Sequence, residues 1–178
     1  MRDFGWYSLY CLGSRVGSDP GQTDHGVPLQ SYMTLAPFIA IVLAISATGS
    51  LFRPGDWYKD LKKPTWTPPG WLFGPAWAVL YIAIAISGWL TWKAVGFTLV
   101  LVVWAIQLVF NAAWSWVMFG RKQIGAAMLT LCALWLFVAL YAVLAWPISQ
   151  TASQLFWPYL AWVTFAGALN LSIWRLNR

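Results

Sequence analysis

Residues 124–146, IGAAMLTLCALWLFVALYAVLAW, contain no Asp, Glu, Lys, Arg or His. A helix of this length crosses the hydrocarbon core of a bilayer, which is about 30 Å thick. Backbone groups in lipid must be hydrogen-bonded within the protein, and the stretch lacks the alternating pattern of a barrel strand. The stretch therefore predicts a transmembrane helix.

Four further apolar runs of similar length flank this stretch. They cover 31–52 (or 35–52), 71–92, 96–119 and 155–174. Composition agrees, because 60% of the 178 residues are hydrophobic and only 9% are charged, against about 25% charged in soluble domains. We predict an all-α membrane protein, a five-transmembrane-helix bundle.

The connections between the runs are short, except for the first. Residues 93–95, 120–123 and 147–154 join the later runs, whereas residues 53–70 form a long connection with four prolines. Proline blocks continuous helix, and long loops in compact domains are usually binding loops or lids. This Pro/Trp-rich loop is too apolar for disorder, so we expect it to fold back over the bundle.

Charge excludes several kinds of active site. The net charge is +6, no carboxylate follows Asp60, and the one histidine is His25, outside the apolar runs. General acid–base pairs, carboxylate metal sites and Ser-His-Asp triads need residues that the apolar part lacks. We expect no metal site and no nucleic-acid partner.

The basic residues indicate an orientation. Eight of them fall in the first loop, the third connection and the C-terminus: Arg53, Lys59, Lys62, Lys63, Arg121, Lys122, Arg175 and Arg178. Because short cytoplasmic loops collect Lys and Arg, we predict that this end is cytoplasmic, with the N-terminus outside, in the cell (inner) membrane. For Arg121 and Lys122 this bias is a sufficient explanation.

Residues 1–32 differ from the rest of the chain, because the stretch 13–30 is polar and rich in Gly and Pro. Met33 immediately precedes the first apolar run. We expect a polar tail over 1–32 that is disordered or lies outside the translated protein, and a membrane domain over 33–178.

Tryptophan is the second compositional anomaly, with 15 residues. Eight fit the aromatic belts at the membrane interfaces: Trp71, Trp89, Trp92, Trp114, Trp116, Trp146, Trp157 and Trp174. Trp77, Trp104, Trp135 and Trp162 lie well inside their runs, where each indole N–H needs an internal acceptor or a ligand. They either pack between helices or line a cavity.

Polar residues share helical faces with these tryptophans. In the third run the face holds Trp104, Gln107, Asn111 and Ser115; in the fifth it holds Tyr159, Trp162 or Val163, Ala166, Asn170 and Trp174; in the second, Trp77 and Tyr81 are one turn apart. Such faces form either helix-to-helix hydrogen bonds, worth about 0.6–2 kcal/mol, or the wall of an uncharged cavity.

An aromatic cavity that opens toward a basic loop suits a large, flat, hydrophobic ligand with acidic groups at one edge. The candidate partners of those groups are Arg53, Lys59, Lys62 and Lys63. A porphyrin has this shape. No axial ligand is placed inside the bundle, so a metal-free tetrapyrrole is favoured.

Several spaced motifs resemble one family. Residues 57–69 read WYxxLxKPxWxPP, residues 73–77 read FGPxW, and residues 158–162 read PYxxW. With Phe110-Asn111, Asn170 and Trp174-Arg175, these are similar to the pattern of the tryptophan-rich sensory protein and translocator protein (TspO/MBR) family across residues 35–178.

The resemblance implies a five-helix membrane protein, often a homodimer, that binds protoporphyrin IX or related tetrapyrroles beneath the first loop and requires no cofactor. Bacterial members act as sensors or regulators of tetrapyrrole and stress responses, and some degrade protoporphyrin in light. The family's pocket residues fall on Tyr58, Trp66, Trp77, Asn111, Trp162 and Ala166. In the degrading enzyme, Trp77 and Trp162 would be the redox-active, catalytic pair.

Three other functions stay open. Leu171 replaces the Tyr of the family's sterol-binding segment, so we predict no high-affinity sterol binding. Active transport is disfavoured, because the apolar runs after the first loop lack the ionisable residues of coupled transporters. A ligand-free scaffold is the remaining alternative, with small residues such as Ala105 and Ala112 supporting a dimer.

Overall fold

The computed structural model describes residues 33–178; the predictions for the tail 1–32 and for a start at Met33 concern chain outside that range. Seven α-helices lie in the described range: α1 (Ala36–Leu51), α2 (Asp56–Asp60), α3 (Phe73–Val95), α4 (Leu99–Ser115), α5 (Ile124–Ala145), α6 (Gln150–Gln154) and α7 (Trp157–Leu176). A 3-10 turn, Gly70–Leu72, leads into α3, and a π-helical segment, Trp116–Gly120, extends α4. No strand occurs in this range.

Five long helices, α1, α3, α4, α5 and α7, form the bundle, as predicted. The segments Gly70–Val95, Leu99–Gly120 and Ile124–Ala145 are long and apolar enough to cross a membrane. Helix α1 is apolar but shorter, at 16 residues. Helix α7 has 20 residues and carries more polar side chains than the other four.

The core lies between α5 and its neighbours α4, α6 and α7. Val138, Tyr141, Phe156 and Tyr159 are fully buried there, and the rings of Tyr141 and Phe156 are 4.2 Å apart. Helix α1 packs against α3 and α4 but buries only Val42. The bundle is therefore tight around α5 and loose around α1.

Trp104 joins three helices by packing. Its Nε1–H donates to the carbonyl oxygen of Ile84 at 3.0 Å, and its ring meets that of Phe38 at 5.4 Å. A Cβ added at Gly88 would lie 2.5 Å from the ring, so glycine is required for this close approach. Of the two alternatives for Trp104, the structure shows packing.

The predicted connections need two corrections. Residues 93–95 belong to α3, which continues to Val95. Gly96 follows as the C-cap, with a φ of 68° that suits glycine. Residues 147–154 contain α6, whose first turn is capped when Ser149 accepts from the Ala152 N–H.

The first loop folds over the bundle, as predicted. Tyr58 packs edge-on against Phe119 at 5.4 Å, and Trp66 packs against Phe165 on α7 at 5.8 Å. With the hydrogen bonds between Lys62 and Asn177, these contacts place the loop, the π-helical segment and the C-terminal end of α7 at one end of the bundle, which we call the loop end. The eight basic residues named above belong to the loop end.

Candidate functional site

A cavity of about 1220 Å³ lies beneath the first loop, between α1, α3, α7 and the π-helical segment. It exceeds the roughly 300–1,000 Å³ of typical small-molecule sites. Its aromatic lining residues are Phe52, Tyr58, Phe73, Trp77, Tyr81, Trp114 and Phe119. Leu43 and Ile82 also line it and are 61% and 62% exposed, so the cavity is open between α1 and α3.

Three of the four predicted cations line the mouth of the cavity: Arg53, Lys59 and Lys63. Lys59 Nζ pairs with Asp56 Oδ1 at 2.9 Å. Lys63 Nζ donates to the Lys59 and Leu61 carbonyl oxygens at 2.8 and 3.1 Å. Arg53 has no acidic partner among residues 33–178, which leaves its guanidinium available to an anionic ligand.

Lys62, the fourth predicted cation, lies on the loop but does not line the cavity. Tyr58 does line it, and the Lys63 ammonium lies 4.9 Å from the centre of its ring. Burial raises the pKa of the Tyr58 phenol above its usual value. The phenol therefore stays protonated at neutral pH and available as a hydrogen-bond donor.

Trp77 forms the inner wall of the cavity. Its ring stacks on Tyr81 with centroids 5.4 Å apart. The Tyr81 hydroxyl donates to Asn111 Oδ1, and Asn111 Nδ2 donates to the Tyr159 hydroxyl, both at 2.9 Å. Asn111 is 2% exposed and lies behind the wall, so the structure shows the helix-to-helix hydrogen bonding that was one of its two interpretations.

Trp162 and Trp66 form a second layer rather than the lining. The Trp162 ring is 6.4 Å from Trp77 and 5.7 Å from Phe73, and its buried Nε1–H has no acceptor among the described residues. Trp66 is 47% exposed and contacts α7 through Phe165. Ala166 lines the cavity, where its small side chain leaves space.

Trp135 does not line the large cavity, and its contact with α7 is the packing alternative of the two open for the mid-run tryptophans. It is 42% exposed on the outer surface of α5. Its Nε1–H donates to Thr164 Oγ1 on α7 at 2.8 Å. A hydroxyl on the neighbouring helix therefore satisfies the indole without a cavity.

The prediction missed Trp114, Met118 and Phe119 as lining residues. Trp114 fits an interfacial belt by position, yet its ring packs against Phe119 at 5.7 Å beneath the loop. Met118 and Phe119 lie in the π-helical segment, and Trp114 lies in the last turn of α4, just before it. Such segments are frequent at functional sites, but no sequence pattern marks this one.

Comparison with known proteins settles the family. The sequence model of the TspO/MBR family matches residues 38–175. The chain belongs to the TspO/MBR family. It is 44% identical over 144 residues to Protein CrtK of Rhodobacter capsulatus, covering 79% of this chain and 89% of that protein.

The similarity to two further TspO/MBR relatives likewise covers most of both chains. The identity to the tryptophan-rich sensory protein of Cereibacter sphaeroides is 38% over 140 residues, covering 79% of this chain and 89% of that one. The identity to the human translocator protein is 38% over 159 residues, covering 85% and 90%. Family membership and the apolar helices together identify a membrane protein.

Proposed function

We propose that this TspO/MBR protein binds a tetrapyrrole of the protoporphyrin IX type and acts as a membrane sensor or regulator of porphyrin metabolism or stress responses. The observation that carries the proposal is the large aromatic cavity with Arg53 at its mouth, an arginine without an acidic partner in the described part of the chain. The sensory role comes from the relative in Cereibacter sphaeroides, which is named a sensory protein.

The chemistry of the lining favours this ligand class. A planar macrocycle would bury its faces against Trp77, Tyr81 and Phe119, all of which line the cavity. Its carboxylates would lie at the mouth near Arg53, where a guanidinium can hold a carboxylate through two parallel hydrogen bonds. Lys59 and Lys63 already have partners and would add mainly long-range attraction.

The distribution of basic residues supports an orientation of the protein in the membrane. We place the loop end in the cytoplasm and the protein in the cell (inner) membrane, because Lys and Arg accumulate on cytoplasmic connections. The cavity mouth, beneath the basic loop, would then face the cytoplasm. A homodimer is part of the proposal, with the exposed Ala105 and Val109 on the outer surface of α4 as a contact surface.

The test is a titration of the purified chain in lipid nanodiscs with protoporphyrin IX in darkness, followed by tryptophan fluorescence. Ala166→Phe should fill the cavity and weaken binding by at least tenfold, about 1.4 kcal/mol. Ala168→Phe is the matched control, because Ala168 lies two residues along the same helix on its exposed side and should bind as the parent does. Equal affinity in both variants would contradict the assigned cavity.

A second candidate function is light-dependent degradation of the bound porphyrin, with dioxygen as oxidant. The edge-to-face contact of Trp77 and Trp162 at 6.4 Å favours it. Trp77 lies against the ligand space, where its indole would donate an electron to the photoexcited porphyrin. Trp162 would then reduce the oxidised Trp77. Under illumination, Trp162→Phe should slow bleaching while keeping dark affinity. Binding without bleaching in the parent protein would leave the sensor as the function.

A further inference from the structure

The first loop is tied to the bundle by one side chain that follows it by 115 residues. Asn177, just beyond α7, accepts at Oδ1 from the backbone N–H of Lys62 at 2.9 Å. Its Nδ2 donates to the carbonyl oxygen of the same residue, also at 2.9 Å. The second Nδ2 hydrogen reaches the Ile173 carbonyl oxygen at 2.7 Å, which fixes the amide at the end of α7.

These are the hydrogen bonds that join the loop to the rest of the described chain. The other hydrogen bonds of residues 53–69 are local, such as Thr67 Oγ1 to the Pro64 carbonyl oxygen and the Leu72 N–H to the Pro69 carbonyl oxygen. Ring contacts hold the loop at Tyr58 and Trp66. The Asn177–Lys62 pair lies in sequence between those two contacts, at the segment with no aromatic anchor.

We propose that Asn177 is a latch, a positioning residue that holds the first loop closed over the cavity. The part that concerns ligand exchange rests on the proposed function, because loop residues such as Arg53, Tyr58 and Lys63 cover the ligand space. Both hydrogen bonds are solvent-exposed, so each is weak enough to break and re-form. Opening of the latch admits and releases the ligand beneath the loop.

The geometry defines the variants. Asn177→Ala removes both hydrogen bonds to the loop. Asn177→Asp keeps an acceptor for the Lys62 N–H but sets a carboxylate against two carbonyl oxygens in place of the donor. Lys62→Ala is the matched control, because the latch uses only the backbone of Lys62 and survives loss of the side chain.

The first measurement needs no ligand. Hydrogen exchange of the full chain in nanodiscs, followed by mass spectrometry, reports the opening of peptides that cover residues 57–63. Asn177→Ala and Asn177→Asp should each speed exchange by about 5- to 30-fold, the effect of one or two lost hydrogen bonds, with α5 peptides unchanged. Exchange at the parent rate in both variants, or an equal rise in Lys62→Ala, would overturn the latch.

The second measurement separates a latch from general damage. In stopped-flow quenching with protoporphyrin IX, a latch predicts that association and dissociation rates rise by the same factor, with Kd changed less than about twofold. Faster loop exchange with unchanged ligand rates would overturn the gating role. Absence of porphyrin binding to the parent protein would defeat the proposed function, whereas the exchange result would still decide whether Asn177 holds the loop.

Discussion

Helices α5 and α1 belong to the same bundle, yet they are buried very differently. Seven residues of α5 are buried, among them Leu134, Val138 and Tyr141, whereas only Val42 of α1 is. Around α5 the polar groups find protein partners: the Tyr141 hydroxyl lies 2.9 Å from Ser87 Oγ and 2.7 Å from Thr91 Oγ1. Beside α1 lie instead the cavity and Arg53, which has no acidic partner within residues 33–178.

The comparison indicates that stability and ligand binding depend on different sides of the same bundle. The α5 side is filled, and its tyrosine hydroxyls are hydrogen-bonded within the protein, so changes there should lower the free energy of unfolding. The α1 side is open and underfilled, so changes there should alter ligand affinity and leave stability nearly intact. Variants on the two sides test this division.

The largest effect should come from Gly88→Leu, at the close packing of α3 against Trp104 of α4 and away from the cavity lining. The new side chain would collide with the Trp104 ring, 2.5 Å from the Cβ position, and overpacking costs about 1–3 kcal/mol. Thermal unfolding in detergent should show a clear fall in Tm. Gly49→Leu is the control, because nothing lies within 4 Å of its Cβ position, and its Tm should stay close to that of the parent protein. An equal fall in Tm in both variants would contradict the division between a packed side and an open side.

The next largest effect should be on affinity, from Arg53→Gln at the cavity mouth. Loss of one charge-assisted contact should weaken protoporphyrin binding by about tenfold, or 1.4 kcal/mol, with an unchanged Tm. Lys62→Gln removes the same charge from the same loop but away from the lining, and should have a much smaller effect. Equal effects would indicate a general attraction by the basic loop instead of a contact.

The smallest effect should come from Tyr81→Phe, at the boundary between the two sides. The ring would keep its stacking on Trp77, while Asn111 Oδ1 would lose its donor. We expect a loss of about 1 kcal/mol in unfolding free energy and less than a threefold change in porphyrin affinity. A large loss of affinity with unchanged stability would indicate that the Tyr81 hydroxyl contacts the ligand directly and would contradict its role in the cavity wall.

Much of the fold is predictable because charge is expensive in lipid. The run 124–146 lacks Asp, Glu, Lys, Arg and His, and α5 begins and ends within one residue of it. The loop's return over the bundle follows from its prolines and aromatic residues. The ends of α3 and α6 are less accessible to prediction, because Gly96 and Ser149 act through local backbone geometry that hydropathy does not report.

The candidate site is predictable only in part, for a related reason. Three of the predicted pocket residues, Tyr58, Trp77 and Ala166, line the cavity. Helix α5 is apolar on every side, so its sequence contains no signal for the outward direction of Trp135. Met118 and Phe119, which also line the cavity, lie in the π-helical segment, which a regular helical period cannot represent.

The most direct test of the account compares protoporphyrin IX with its dimethyl ester, which has the same ring but no carboxylates. In nanodiscs the free acid should saturate one site per chain and bind about tenfold more tightly than the ester, and Arg53→Gln should abolish that difference while the ester's affinity stays the same. Failure of either compound to saturate, or an acid preference that survives in Arg53→Gln, would contradict a tetrapyrrole acid held in this cavity.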